Sequence, residues 1–115
     1  MRRDETYVLD MLLAAQDAQN IVEDISQEQF LTSRLHQLAA LKALETIGEA
    51  AARLSETFRQ LHSRIPWHEI IGMRNRLIHA YFEIDLESVW ETIQNDLPPL
   101  IQALEPLVPP PMERE

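Results

Sequence analysis

The sequence predicts an all-α protein, an antiparallel bundle of four or five helices, and three observations carry that expectation. Apolar residues recur at spacings of three and four along most of the chain, the mark of helices that bury one side. Glycine occurs only twice, at Gly48 and Gly72, which leaves few sites for the tight turns of a sheet. No stretch alternates β-branched and polar residues with the two-residue period of a strand.

Each element can be justified in turn. Asp4 is placed to cap a first helix whose apolar stripe is Val8, Met11, Leu12, Ala15, Ala18, Ile21, Val22 and Ile25. Ser26 and Gln29 have capping-box spacing, with Phe30 and Leu31 anchoring the turn that follows. A long second helix is expected from Thr32 to Leu54, with Leu35, Leu38, Leu41, Leu44, Ile47 and Ala51 turned inward. Ser55 caps a short helix that buries Phe58 and Leu61, and Pro66 opens the next helix, which runs to Tyr81. Asp85 caps a last long segment with Leu86, Val89, Trp90 and Ile93 on its apolar side, which Pro98 and Pro99 should kink or restart. The helical domain is expected over residues 1–105, and residues 106–115, with four prolines and a charged tip, as an extended tail.

At 115 residues the chain suits one core. It has no run of about 18 apolar residues, so neither a membrane span nor a signal peptide is expected, and a cytoplasmic location is. The absence of cysteine excludes disulfides and thiol chemistry. Four histidines without an H-x-x-x-H pair predict no zinc site. A formal charge of -9 argues against coating nucleic acid by electrostatics alone. The charge is unevenly spread: residues 1–54 carry 5 positive and 9 negative groups, residues 55–82 carry 4 and 2, and residues 83–115 carry 1 and 8. Only the middle segment is net positive. Nine of the ten cations are Arg, which favours fixed bidentate contacts over diffuse attraction.

That middle segment holds the stretch "GMRNRLIHAYFEID", Gly72 to Asp85. At 100° per residue and with Ile70 as zero, Leu77, Met73 and Ala80 fall at about 340°, 300° and 280° and define a buried face. Arg74 and Tyr81 lie beside that face at about 40° and 20°, whereas Asn75 and His79 form an i, i+4 pair at about 140° and 180°. A guanidinium beside an apolar face needs a partner. Two partners are open on residues alone: Glu45 or Glu49, one turn apart on the second helix and placed to pair with Arg74 or Arg53, or a phosphate. Arg and His together suit a phosphodiester, because His moves protons near neutrality and a fixed guanidinium holds the charge of a pentacoordinate phosphorus. Arg74 and His79 are about 140° apart, so they converge more easily in a cleft at the helix end or across a two-fold dimer. Gly48, between Glu45 and Glu49, weakens its helix and suggests that another backbone passes close, either the motif helix or a second subunit. Trp67 and Trp90 read as core or dimer anchors, and His62 and His68 as surface groups flanking Pro66.

The stretch "RNRLIHAY", Arg74 to Tyr81, resembles the R-x-x-x-x-H-x-Y signature of the HepT-like branch of the HEPN superfamily. Three blocks in order, "ETIGEAA" from Glu45, "IPWHEIIGMRNRLIHAYF" from Ile65 and "DLESVWETIQNDLP" from Asp85, are similar to that family's pattern over more than half the chain. The resemblance implies a HEPN-like bundle that cleaves RNA without metal as a homodimer, a ribonuclease toxin. Arg74 would stabilise the transition state, His79 would act as general acid or base, and Asn75 would orient phosphate or His79, with Glu49 and Arg76 in support. Tyr81 matches the tyrosine that a partner minimal nucleotidyltransferase antitoxin can modify with AMP. ATP and Mg²⁺ would belong to that partner, and this chain would need no cofactor of its own. Ala80 stands where the family often has Gly, which leaves the chemical groups intact. The acidic residues 83–115 could serve antitoxin docking. Two other readings stay open: a catalytically idle HEPN module that serves a nucleotidyltransferase as substrate or partner, and a purely structural helical dimer.

Overall fold

The computed structural model describes residues 3–79, His79 by its backbone alone, and 83–108. All regular elements among them are helical: α1 (Asp4–Val22), α2 (Gln27–Thr32), α3 (Arg34–Arg53), α4 (Glu56–Leu61), α5 (Trp67–His79), α6 (Leu86–Glu91) and α7 (Leu97–Leu104). A π-helical turn, Thr92–Asp96, joins α6 to α7, and a 3-10 turn, Glu105–Leu107, follows.

Helix α3 is the centre of the bundle, with α1 on one side and α5 on the other. Asp4 at the start of α1 bonds Ser55 just past the end of α3, so the two helices are antiparallel. Small residues on α3 (Ala40, Ala43, Ala50 and Ala51) are all buried, which lets its neighbours approach closely. Leu44, Ile47, Ile70, Leu77, Val89, Ile93, Leu97 and Leu104 extend the same core through α5 and the C-terminal helices. The predicted antiparallel all-α bundle is therefore the fold.

Three elements differ from expectation. Ser33 is extended, with φ -110° and ψ 102°, and breaks the expected Thr32–Leu54 helix; its hydroxyl caps α3 by accepting from the His36 N–H. Leu35 and Leu38 face solvent, at 76% and 42% exposure, while Leu44 and Ile47 are each 1% exposed. The physical reason is the spacing itself. Steps of three residues lag a full turn by about 60°, so a leucine run of i, i+3, i+6 winds off the buried face within a few steps. Asp4 does not cap α1, whose cap position is Arg3 without a side-chain bond; the Asp4 carboxylate is taken by Ser55 instead. Leu61, expected inside, is 75% exposed.

The other signals hold. Ser26 and Gln29 form the capping box, Ser55 accepts from the Phe58 N–H, and Asp85 accepts from Glu87 and Ser88. Pro66 supplies the first acceptor of α5, to the Ile70 N–H at 3.1 Å. Ahead of Pro98 and Pro99 the ladder widens: the Leu97 N–H donates to the Thr92 carbonyl, a five-residue step that accommodates two residues lacking N–H groups. Trp67 is a core residue whose indole N–H donates to the Arg59 and His62 carbonyls at 3.1 and 3.0 Å, tying α4 to the start of α5. Trp90 packs against Phe30 at 5.5 Å between ring centres.

Candidate functional site

Helix α5 carries the motif, and its position is set by the core. Trp67, Ile70 and Leu77 are buried and Met73 is partly so, which fixes the rotation predicted from the periodicity. Gly48 then decides how near α5 comes to α3. A Cβ built on Gly48 would fall on the Cβ of Arg74 and lie 2.9 Å from its Cγ and 3.1 Å from the Ile70 carbonyl oxygen. The backbone that passes Gly48 is thus the motif helix.

Arg74 lies with its stem across that glycine, half-buried. Its Nε is buried and has no hydrogen-bond partner among the described residues. One terminal nitrogen, Nη1, donates to the Asn75 side-chain oxygen at 3.0 Å. The expected pairing with Glu45 or Glu49 is not formed among the described residues. Glu49 pairs with Arg53 at 3.8 Å, both side chains well exposed, and it sits about 100° round α3 from Gly48. An exposed pair of that kind contributes little. Leaving a buried donor unpaired costs about 1–3 kcal/mol.

Asn75 is exposed beside Arg74, and the two are brought together by a direct bond. Arg76 is not: it turns about 200° from Arg74 and lines a groove of about 450 Å³ between α5 and α7. Ile47, Arg64, Glu69 and Asp96 share that groove. Its mainly apolar wall makes it a packing seam rather than a part of the Arg74 site. His79 is the last residue of α5, five residues beyond Arg74. Tyr81 and Ala80 lie outside the described residues, as does the tail from residue 109. His62 packs on Phe58 at 4.5 Å between ring centres, and His68 is exposed in the first turn of α5, well before Arg74.

Two apolar residues of α5, Ile71 and Ile78, lie outside the set that the motif singles out. Ile71 is partly buried and Ile78 is 40% exposed, and both fall between Arg74 and Asn75 around the helix, at about 100° and 80°. The same angular count that placed Arg74 would have found them. A cation with an unpaired buried donor therefore sits at the edge of a half-exposed apolar strip.

An all-helical bundle whose fifth helix carries R-x-x-x-x-H can be set beside known proteins, and the comparisons identify its family. The model of the ribonuclease HepT-like family matches residues 11–107, and the chain belongs to that family. A protein of Thermococcus cleftensis named "Probable ribonuclease HepT" is 38% identical over 99 residues, covering 86% of this chain and 90% of that one. A Caldanaerobacter subterraneus protein named as a candidate RNase is 44% identical over 79 residues, covering 69% and 70%. One from Methanocaldococcus jannaschii, similarly named, is 34% identical over 101 residues, covering 88% and 93%. No solved structure matches the chain significantly.

Proposed function

We propose that this protein is a metal-independent endoribonuclease that works as a homodimer, with Arg74, His79 and Asn75 as the reacting set. The observation that carries the reading is Arg74: a guanidinium held beside the core, without a carboxylate partner among the described residues. A fixed cation of that kind is preorganised for a phosphodiester. In the reaction the ribose 2′-oxygen attacks the adjacent phosphorus, the bond from phosphorus to the 5′-oxygen breaks, and a 2′,3′-cyclic phosphate and a 5′-hydroxyl result. His79 takes the 2′-hydroxyl proton or returns one to the leaving oxygen, the second role falling to the partner subunit's copy. Arg74 holds the charge that builds on the non-bridging oxygens. The strip of Ile71 and Ile78 beside the motif suits the dimer face that would bring two such sets together.

The biological setting that fits is a toxin of the cytoplasm, silenced by a minimal nucleotidyltransferase. That partner would bring ATP and Mg²⁺ and place AMP on Tyr81: the phenol oxygen attacks the α-phosphorus, pyrophosphate leaves, and the phenolic proton is lost. The alternative is an idle domain that only serves the nucleotidyltransferase, and the net charge of -9 favours it because bulk RNA would be repelled.

Cleavage of a mixed RNA pool in excess EDTA, by the wild-type chain and by Arg74→Ala, tests the proposal. Cleavage by the wild type and none by the folded variant is expected. Equal cleavage by both would remove Arg74 from the reaction, and none by either would leave the idle domain as the better reading.

A further inference from the structure

The two glycines of this chain are not equivalent. A Cβ on Gly72 would meet only the Nη1 of Arg76, at 3.7 Å, an ordinary contact with the end of a flexible side chain. A Cβ on Gly48 would collide with the root of Arg74 and press on the backbone oxygen of Ile70, neither of which can swing aside. Glycine in the middle of a helix is unfavourable by itself, so its presence in α3 answers to this close approach.

The approach has a chemical result. With its stem laid across α3, Arg74 has its Nε sealed from solvent, which closes the Nε edge that often grips an anion side-on. The terminal nitrogens are left to reach outward, and Asn75 holds Nη1 in place at 3.0 Å. We infer that Gly48 is a positioning residue for Arg74, setting the depth of the guanidinium so that it meets one compact anionic group, a phosphodiester's non-bridging oxygens, end-on. The inference rests on the reading of Arg74 as the phosphate-binding cation. A side chain at position 48 pushes α5 outward, and a misplacement of about 1 Å at a catalytic group can cost about a hundredfold in rate.

The test compares wild type, Gly48→Ala and Ala18→Gly. The last substitution weakens the buried face of α1, whose main neighbour is α3 rather than α5, and serves as the destabilised control. Two quantities are read on folded protein: kcat and KM for an oligoribonucleotide, and solvent exchange of the Arg74 Nε–H by NMR. In Gly48→Ala, kcat should fall by about a hundredfold with KM within about threefold, and the Nε–H should exchange at least about tenfold faster. Ala18→Gly should change neither. Wild-type kcat with a slowly exchanging Nε–H in Gly48→Ala would overturn the inference, as would equal losses in the two variants. A wild type that cleaves nothing, with the exchange result as expected, would defeat the RNase reading and leave the positioning intact. If Gly48→Ala does not fold, the pair Gly48→Ala with Arg74→Gly decides. Recovery of a folded protein assigns the collision to Arg74, and failure to recover overturns it.

Discussion

The carboxylate of Asp4 and the main chain and hydroxyl of Ser55 are joined across 51 residues of sequence. Asp4 accepts from the Ser55 N–H at 2.9 Å and from its Oγ at 2.6 Å. The same Ser55 Oγ accepts from the Phe58 N–H at 3.1 Å, so one hydroxyl fixes the entry to α4 and the start of α1 together. Asp4→Ala should lower stability by roughly 1 kcal/mol, the scale of a lost cap, with an unchanged denaturant slope in urea unfolding. An unchanged midpoint would show that the tie is not maintained in solution.

The same bonds give that carboxylate a pH signature. Donation from the Ser55 hydroxyl first, and then its N–H, holds Asp4 below its ordinary value of 3.8. A lowered folded value means that the stabilisation is complete above the unfolded value and is lost as pH falls through the folded one. Asp85 is lowered in the same direction, by the Ser88 hydroxyl and then its N–H. Stability should therefore fall more steeply below about pH 4 in the wild type than in Asp4→Asn. Parallel curves would exclude a share for Asp4.

The central helix makes a paired prediction. Leu44→Ala removes a side chain that is 1% exposed and should cost about 2–5 kcal/mol, whereas Leu35→Ala, at 76% exposure, should stay within about 0.5 kcal/mol. Comparable losses at the two positions would mean that Leu35 is covered in solution, for instance by another chain.

Trp67 makes a different kind of contribution. Trp67→Phe retains most of the apolar area but leaves the Arg59 and His62 carbonyls without the indole donor. A loss of about 1–2 kcal/mol by chemical unfolding is expected, on the scale of one buried hydrogen bond and its stranded acceptors. No loss would show that solvent replaces the donor at no cost.

How far the sequence reached depended on the kind of signal. Local chemistry was legible: the Ser26–Gln29 capping box, the Ser55 and Asp85 caps and the Pro66 start all form as their spacing requires. The rotation of α5 was legible too, because Ile70, Leu77 and Arg74 obey one periodicity. Gly48 marked a close approach, though not which neighbour made it. The leucine run of α3 misled because residue type was weighed above angular drift. A pair between Glu49 and Arg53 was one of the pairings open on the sequence and it forms, whereas the Asp4–Ser55 tie was hidden because it turns on competition among several acceptable partners, which only packing resolves. That Arg74 has no carboxylate partner among the described residues belongs with that tie, and it is the fact on which the functional reading turns.

The most direct measurement is the chemistry of RNA ends produced in EDTA by wild type and by His79→Ala. The account predicts 2′,3′-cyclic phosphate and 5′-hydroxyl ends from the wild type and no products from the variant. Products ending in a 3′-hydroxyl, or cyclic ends made equally by His79→Ala, would contradict it.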